Sequence, residues 1–264
     1  MRAVLFSIAA FFMFAAPAHA ERFALSYDGI GLGFVPLGGV ILDAEVSEDS
    51  YQITAILHSR GLLNLFEPTE IRARAAGRVA HGGVRWESYE LDHRYSRKHR
   101  TITLESRGDG AINAQIEPNY RVWGEPAASA EQIRRSRDPL SSLVAMAIDV
   151  GQSRRCAGAY PTFDGRFHYL LELAGGEIGD FDHAGYEGEV LKCALAYIAV
   201  AGFEPRDSGR VRIPHGEIWF ALMPDASFAP PVWIATPWPR RVALRLSRLR
   251  RARVDVEYVS APAP

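Results

Sequence analysis

Tyr51-Gln52-Ile53-Thr54-Ala55-Ile56-Leu57-His58 reads with a period of two: Tyr51, Ile53, Ala55 and Leu57 alternate with Gln52, Thr54, Ile56 and His58. The alternation is imperfect, because Ile56 falls in the polar set. A run of this kind is a strand with one face on a core, and strands of that type belong to antiparallel sheets. The same period recurs outward along the chain. Ile102 and Leu104 alternate with Thr101, Thr103 and Glu105; Ile112, Ala114 and Ile116 repeat it, as do Phe167, Tyr169, Leu171 and Leu173. Turn signals fall between these runs at Gly82-Gly83, Asp109-Gly110, Asp164-Gly165 and Asp207-Ser208-Gly209. Glycines 29, 31, 33, 38 and 39 punctuate the stretch from Tyr27 to Val40. Gly31-Leu32-Gly33 lacks the third glycine and following helix of a dinucleotide fingerprint, and glycine inside a strand marks a bulge or bend.

Two helices are expected among the strands. Gly61-Leu62-Leu63-Asn64-Leu65-Phe66 reads as one apolar helical turn. Asp138-Pro139-Leu140-Ser141-Ser142-Leu143 is a stronger start, with Asp138 as N-cap and Pro139 at the first helical position. Leu140, Leu143, Val144, Ala147 and Ile148 then share one face, which places the helix across a sheet. Residues 117–137 read as a long polar connection rather than a firm domain boundary, with a subdomain boundary there as the alternative. Near the C-terminus Val242, Leu244 and Leu246 keep one phase, and Ala252, Val254, Val256 and Tyr258 keep the same one. Leu249 breaks it, so a hairpin or bulge is expected there. Seven arginines lie between Arg240 and Arg253. They read as a charged edge strand that discourages edge pairing, with contact to anionic lipid head groups as the alternative.

The first twenty residues carry an address. Met1-Arg2 precedes an apolar run from Ala3 to Ala16, and Pro17-Ala18-His19-Ala20 supplies a small-x-small cleavage site. This is the layout of a secretory signal peptide, 1–20, with cleavage expected after Ala20. The run is shorter than the about 20 residues that a membrane span needs, and no cysteine follows to take a lipid anchor. The remaining 21–264 is expected to be a single exported, periplasmic, β-rich domain. A formal net charge of −1 gives no basis for nucleic-acid binding. Only Lys98 and Lys192 are lysines, so arginine clusters reflect general usage before they reflect phosphate recognition. Cys156 and Cys193 are the two cysteines, and in an exported chain the pair is expected as a disulfide closing a loop of 36 intervening residues. They lack the C-x-x-C spacing of a redox centre and the neighbouring ligands of a zinc site.

Motifs for chemistry are sparse. No serine sits in a glycine-flanked nucleophile turn, and no two histidines bracket a glutamate at metalloprotease spacing. His93 and His99 flank the cationic run Arg94-Tyr95-Ser96-Arg97-Lys98, which disfavours a metal. Asp180, Asp182 and His183, with Glu172, Glu177, Glu187 and Glu189, form one acidic and histidine-containing neighbourhood. They read as a solvated glycine-rich loop, with a cation site or acid–base pair as the alternative. Aromatics are more frequent: Trp86, Tyr89, Tyr95, Trp123, Trp219, Phe220, Trp233 and Trp238 sit in or beside the expected strands. On a concave face they would line an apolar pocket; otherwise they are sheet core.

The order of features resembles a family of exported Gram-negative proteins catalogued as a domain of unknown function, DUF3108. The resemblance rests on Tyr27-x-Gly29-x-Gly31, Tyr51-Gln52-Ile53, Ser59-Arg60-Gly61-Leu62, Asp138-Pro139-Leu140-Ser141, Cys156 ahead of Phe163-Asp164-Gly165-Arg166, Cys193, Ala201-Gly202-Phe203 and Pro231-Val232-Trp233-Ile234. It implies a secreted β-rich protein akin to the lipoprotein-carrier architecture, and it carries over no catalytic residue or cofactor. The expected fold is therefore mainly β: a strongly curved antiparallel sheet or open barrel, one or two short plugging helices and one disulfide. The expected function is a non-enzymatic envelope protein holding a lipid or other apolar small molecule, with Trp86, Tyr169, Trp219, Trp233, Leu140, Leu143 and Val144 lining the site. The alternatives are an interaction module with an envelope protein partner and, third, a hydrolase built on Asp180, Asp182 and His183. No metal or cofactor is expected.

Overall fold

The computed structural model describes residues 19–61, 64, 67–80, 83–107, 111–204, 216–236 and 242–255. Seven strands come first: β1 (His19–Gly31), β2 (Val35–Val46), β3 (Ser50–Ser59), β4 (Thr69–Ala80), β5 (Gly83–Tyr95), β6 (Lys98–Ser106) and β7 (Ile112–Glu117). A short helix α1 (Ala130–Arg134) and a longer α2 (Pro139–Ser153) follow. The chain then returns to strands: β8 (Gly158–Phe163), β9 (His168–His183), β10 (Tyr186–Ala201), β11 (Gly216–Ala221), β12 (Pro231–Ala235) and β13 (Val242–Asp255). All lie in one antiparallel sheet of order β7-β6-β5-β4-β3-β2-β1-β13-β12-β11-β10-β9-β8. Two meanders are joined where β1 pairs with β13, so the first and last strands meet in the middle.

The edges β7 and β8 are neighbours in sequence, and the segment between them crosses the sheet's concave side. The sheet curls around that crossing. Gly165, in the β8–β9 turn, lies so close to β6 that a Cβ there would be 2.8 Å from Ile102 Cγ2. Asp164 Oδ1 accepts from Arg166 N and Phe167 N, which makes this expected turn an Asx turn. Inward residues form a contiguous core that includes Phe23, Leu25, Leu42, Ile53, Leu104, Val144, Val150, Ile218, Phe220 and Leu246. The expected alternation is visible in it: Tyr51 and Ile53 are 2 % exposed, while Gln52 is exposed.

The sequence signals for α2 act as expected. Asp138, fully buried, accepts from Leu140 N at 3.0 Å and Ser141 N at 2.9 Å. At the other end Arg154 closes the helix in the left-handed conformation. Gly151 lets the β11–β12 connection lie on the helix, since a Cβ there would fall 2.2 Å from Ser227 O. Ala229 N donates to Ala147 O beside it. The Cys156–Cys193 disulfide, with a Cα–Cα separation of 5.4 Å, ties the helix's exit to β10.

Four expectations change. The arginine-bearing strand β13 is internal, with β1 on one side and β12 on the other; the edges are β7 and β8. Edge position depends on long-range pairing, which a charge run does not encode. Second, the phase of β13 changes. Of the hairpin or bulge expected near Leu249 the bulge is found, at Ser247: Tyr27 faces Leu246 and Ser26 faces Arg248, leaving Ser247 extra. The bulge reverses the phase, so Leu249 is buried and Ala252 exposed, against the even phase expected for both halves. Third, Asp180, Asp182, His183, Glu187 and Glu189 belong to the long β9–β10 hairpin and not to a loop. Fourth, the connection 118–129 leads into α1, capped by a box between Ser129 and Gln132. The helical turn expected at 61–66 lies mostly outside the described residues, of which Gly61 and Asn64 are helical. Gly82, Asp109-Gly110, Asp207-Ser208-Gly209 and Trp238 also lie outside them. So does the leader, except that His19 and Ala20 open β1 by pairing with Asp255 and Val254.

Candidate functional site: an apolar cavity under the sheet

Between α2 and the concave face lies a cavity of about 280 Å³. Strand register builds its floor in two ranks. Leu42, Ala55, Ala73 and Leu91 sit side by side on β2–β5, and Tyr27, Val40, Leu57 and Ile71 form the next rank on β1–β4. Two alanines in the first rank keep the floor low under the helix. Pro139, Leu140 and Leu143 of α2 form the roof, and Pro231, Ile234 and Leu244 close the side toward β12 and β13.

The walls have little to offer a polar ligand. Among the described lining residues none is charged. Tyr27 Oη donates to Pro231 O at 2.6 Å, and burial drives its pKa far above the ordinary phenol value. Tyr89 is held neutral in the same way. Beneath the helix's first turn, polar groups are present but mutually satisfied. Tyr51 donates to Ser141 Oγ at 2.7 Å, Ser141 Oγ donates to Asp138, and Ser142 shares a 2.8 Å bond with Thr162. Burial raises the Asp138 carboxyl to about pKa 6, while the Ser141 and Leu140 donors pull against that rise.

Leu140 and Leu143 stand in the cavity wall, and the other expected lining residues do not. Val144 is wholly buried and does not face the cavity, being turned one helical position away from Leu143. Trp86 is 6 % exposed and its Nε1 donates to Ser136 O at 2.8 Å, beneath the chain entering α2. Tyr169 stacks on Tyr197 with ring centroids 4.5 Å apart, out on β9 and β10. Trp219 and Trp233 are on the opposite, convex face. Their neighbours Ile218 and Ile234 are the inward ones, and Trp219 faces Trp233 and Lys192 across the sheet. The Trp rings lie 5.6 Å apart, Lys192 Nζ is 4.8 Å from the Trp219 ring, and Trp233 Nε1 donates to Glu217. Aromatic content points at large side chains; only strand phase tells which face they occupy. Ala55, Leu57 and Leu244 were in the right phase to be found, whereas Val40, Ile71, Leu91 and Pro231 carried no signal of their own.

The acidic neighbourhood does not converge. Asp180 faces Glu189 and Asp182 faces Glu187 across the hairpin, all on its exposed side. Among the described residues no group of three His, Cys, Asp or Glu side chains is placed to hold a metal ion. No helix among them is long and apolar enough to cross a membrane.

Fold and cavity together define a β-barrel-like protein: an open, curled antiparallel sheet plugged by a helix. No family model matches the chain, and no curated protein does. Among solved structures it is similar to a beta-barrel-like protein of the domain of unknown function DUF1849 from Brucella abortus. The two superpose with a TM-score of 0.51 at 11 % identity, over 89 % of this chain and 98 % of that one. The likeness is one of fold.

Proposed function

We propose that this protein is an exported envelope protein that binds a lipophilic ligand, an acyl chain or a comparable apolar body, and catalyses nothing. The observation that carries the reading is the cavity, whose floor, roof and side are aliphatic or aromatic and whose volume of about 280 Å³ is close to the lower end of the range for small-molecule sites. With the lining phenols neutral and Tyr27 bonded to Pro231, recognition is by shape and burial. The ligand's polar end, if it has one, stays outside. The export address rests on the layout of residues 1–20, and the kinship with exported proteins of unknown function on the motifs quoted above.

The test is native mass spectrometry of the protein purified from its own host without detergent, beside titration with an apolar fluorophore. An added mass that leaves on denaturation, or saturable probe uptake, supports the reading. A bare mass together with no probe uptake overturns it and favours an interaction module.

A further inference from the structure

Phe34 is 79 % exposed and Leu32 is 54 % exposed, at the tip of the β1–β2 hairpin. Phe34 N donates to Gly31 O at 3.1 Å, and the two residues between have φ of 53° at Leu32 and 86° at Gly33. This is the two-residue turn that prefers Asn-Gly, because both central positions are left-handed. Glycine fits its place. Leucine does not: a branched apolar side chain is held in a left-handed conformation, where it adds nothing to the core and points into solvent. Backbone strain of this kind, at an exposed apolar tip, marks a contact surface.

The tip does not stand alone. Ile30 and Gly33 share a groove of about 250 Å³ on the convex face with Trp233, Ala243 and Arg245. Arg245 forms no ion pair among the described residues. The exposed Arg60, Arg97 and Lys98 lie at the same end of the meander, in or next to the β3–β4 and β5–β6 connections. Carboxylates are present there too: Asp28 faces Arg245 from β1 without an ion pair between them, Glu217 accepts from Trp233 Nε1, and Glu67 is exposed in the β3–β4 connection. The acidic pairs Asp180–Glu189 and Asp182–Glu187 lie away from it, toward the tip of the β9–β10 hairpin. Apolar tip, flanking tryptophan and unpaired arginine are the parts of an interfacial anchor: the first enters the acyl region, the second sits at head-group level, the third meets phosphate.

We infer that the Leu32–Phe34 tip, with Trp233 and Arg245 beside it, docks on an anionic lipid bilayer surface. The docking goes beyond the proposed ligand site, since the convex groove and the cavity lie on opposite faces of the sheet.

The test is co-sedimentation of the full chain with vesicles of phosphatidylethanolamine and phosphatidylglycerol, against vesicles of phosphatidylcholine alone. The wild type binds the anionic vesicles. Phe34→Asp weakens that binding by about tenfold or more, and Arg245→Ala by about fivefold. Leu32→Asn is the decisive variant. Asparagine suits the turn, so its melting temperature does not fall, yet its vesicle binding drops with that of Phe34→Asp. Indifference of the wild type to anionic vesicles overturns the inference, as does unchanged binding by Leu32→Asn and Phe34→Asp. Concentration-dependent self-association that these variants abolish, without any vesicle binding, overturns it in favour of a second copy of the chain. Probe uptake is read separately, so failure of either proposal is visible without the other.

Discussion

Tyr51, at the head of β3, donates a 2.7 Å hydrogen bond to Ser141 in the first turn of α2. Ser141 in turn donates its own hydroxyl to the Asp138 carboxylate, so the strand, the helix and the helix cap form one buried chain. This links the plug to the floor of the sheet at the end of the helix that roofs the cavity. Hydrogen bonds to a buried charged acceptor are worth about 1.5–3 kcal/mol each, and leaving such a group unpartnered costs comparably.

Asp138 therefore sets a pH dependence with a definite sign. Burial pushes its carboxyl up from the ordinary 3.8 to about 6 in the folded protein. The folded state holds the proton more tightly than the unfolded state. The resulting stabilisation is fully present below about pH 4 and is lost as pH rises through 6, by up to about 3 kcal/mol. Asp138→Asn keeps an oxygen for Leu140 N and Ser141 N and removes the titration. Urea unfolding from pH 4 to 7 is expected to show wild-type stability falling relative to this variant. Asp138→Ala, which removes the cap, loses about 1–2 kcal/mol at pH 7.

The Cys156–Cys193 bridge closes the chain across the helix exit and two strands of the β9–β10 hairpin. Reduction, or Cys156→Ser with Cys193→Ser, lowers unfolding free energy by about 4 kcal/mol on chain-entropy grounds. Denaturation with and without reductant checks this. Because both sulfurs are buried, reduction without denaturant is expected to be slow.

The cavity makes a prediction of opposite sign for stability and binding. Ala55 and Ala73 are the small residues of its floor. Ala55→Phe fills the space under Leu140 and Leu143, raising or preserving the melting temperature because apolar void is replaced by contact. Apolar-probe affinity falls by more than tenfold in the same variant. If affinity is unchanged while the fold is kept, the probe binds elsewhere.

How much of this could be read beforehand followed the range of the interactions. The α2 start is local chemistry, an acceptor at Asp138 and a ring at Pro139, and it was legible. The strand at Tyr51–Leu57 and the cystine were legible too, one from period and the other from compartment and count. The curved mainly β sheet with its plug follows from these. What failed depends on pairing between distant segments. β13 is internal because β1, some 220 residues earlier, pairs with it. The tryptophans at 219 and 233 are convex because bulges and register fix their phase, and no property of an indole does that. The acidic residues near 180 read as a loop because glycines run among them, and in the hairpin like charges face each other, Asp180 against Glu189, a pairing that cross-strand electrostatics disfavours.

The bulge at Ser247 supplies the last prediction. It turns Arg251 inward, onto the Phe23 ring at 5.8 Å and into ion pairs with Glu21 and, at 2.8 Å, Asp225. Arg251 and Glu21 side chains are about a fifth exposed, and Arg251 joins β13, β1 and the β11–β12 connection. Arg248 and Arg250 alternate outward and form no ion pair among the described residues. Arg251→Ala is therefore expected to cost about 2 kcal/mol, since it strands Glu21 and uncovers Phe23, while the exposed Asp225 keeps Arg253. Arg248→Ala and Arg250→Ala stay within about 0.5 kcal/mol of wild type. Chemical denaturation of the three variants separates the cases. An unbulged β13 in the even phase would reverse the order, placing Arg248 and Arg250 inward and leaving Arg251 without consequence.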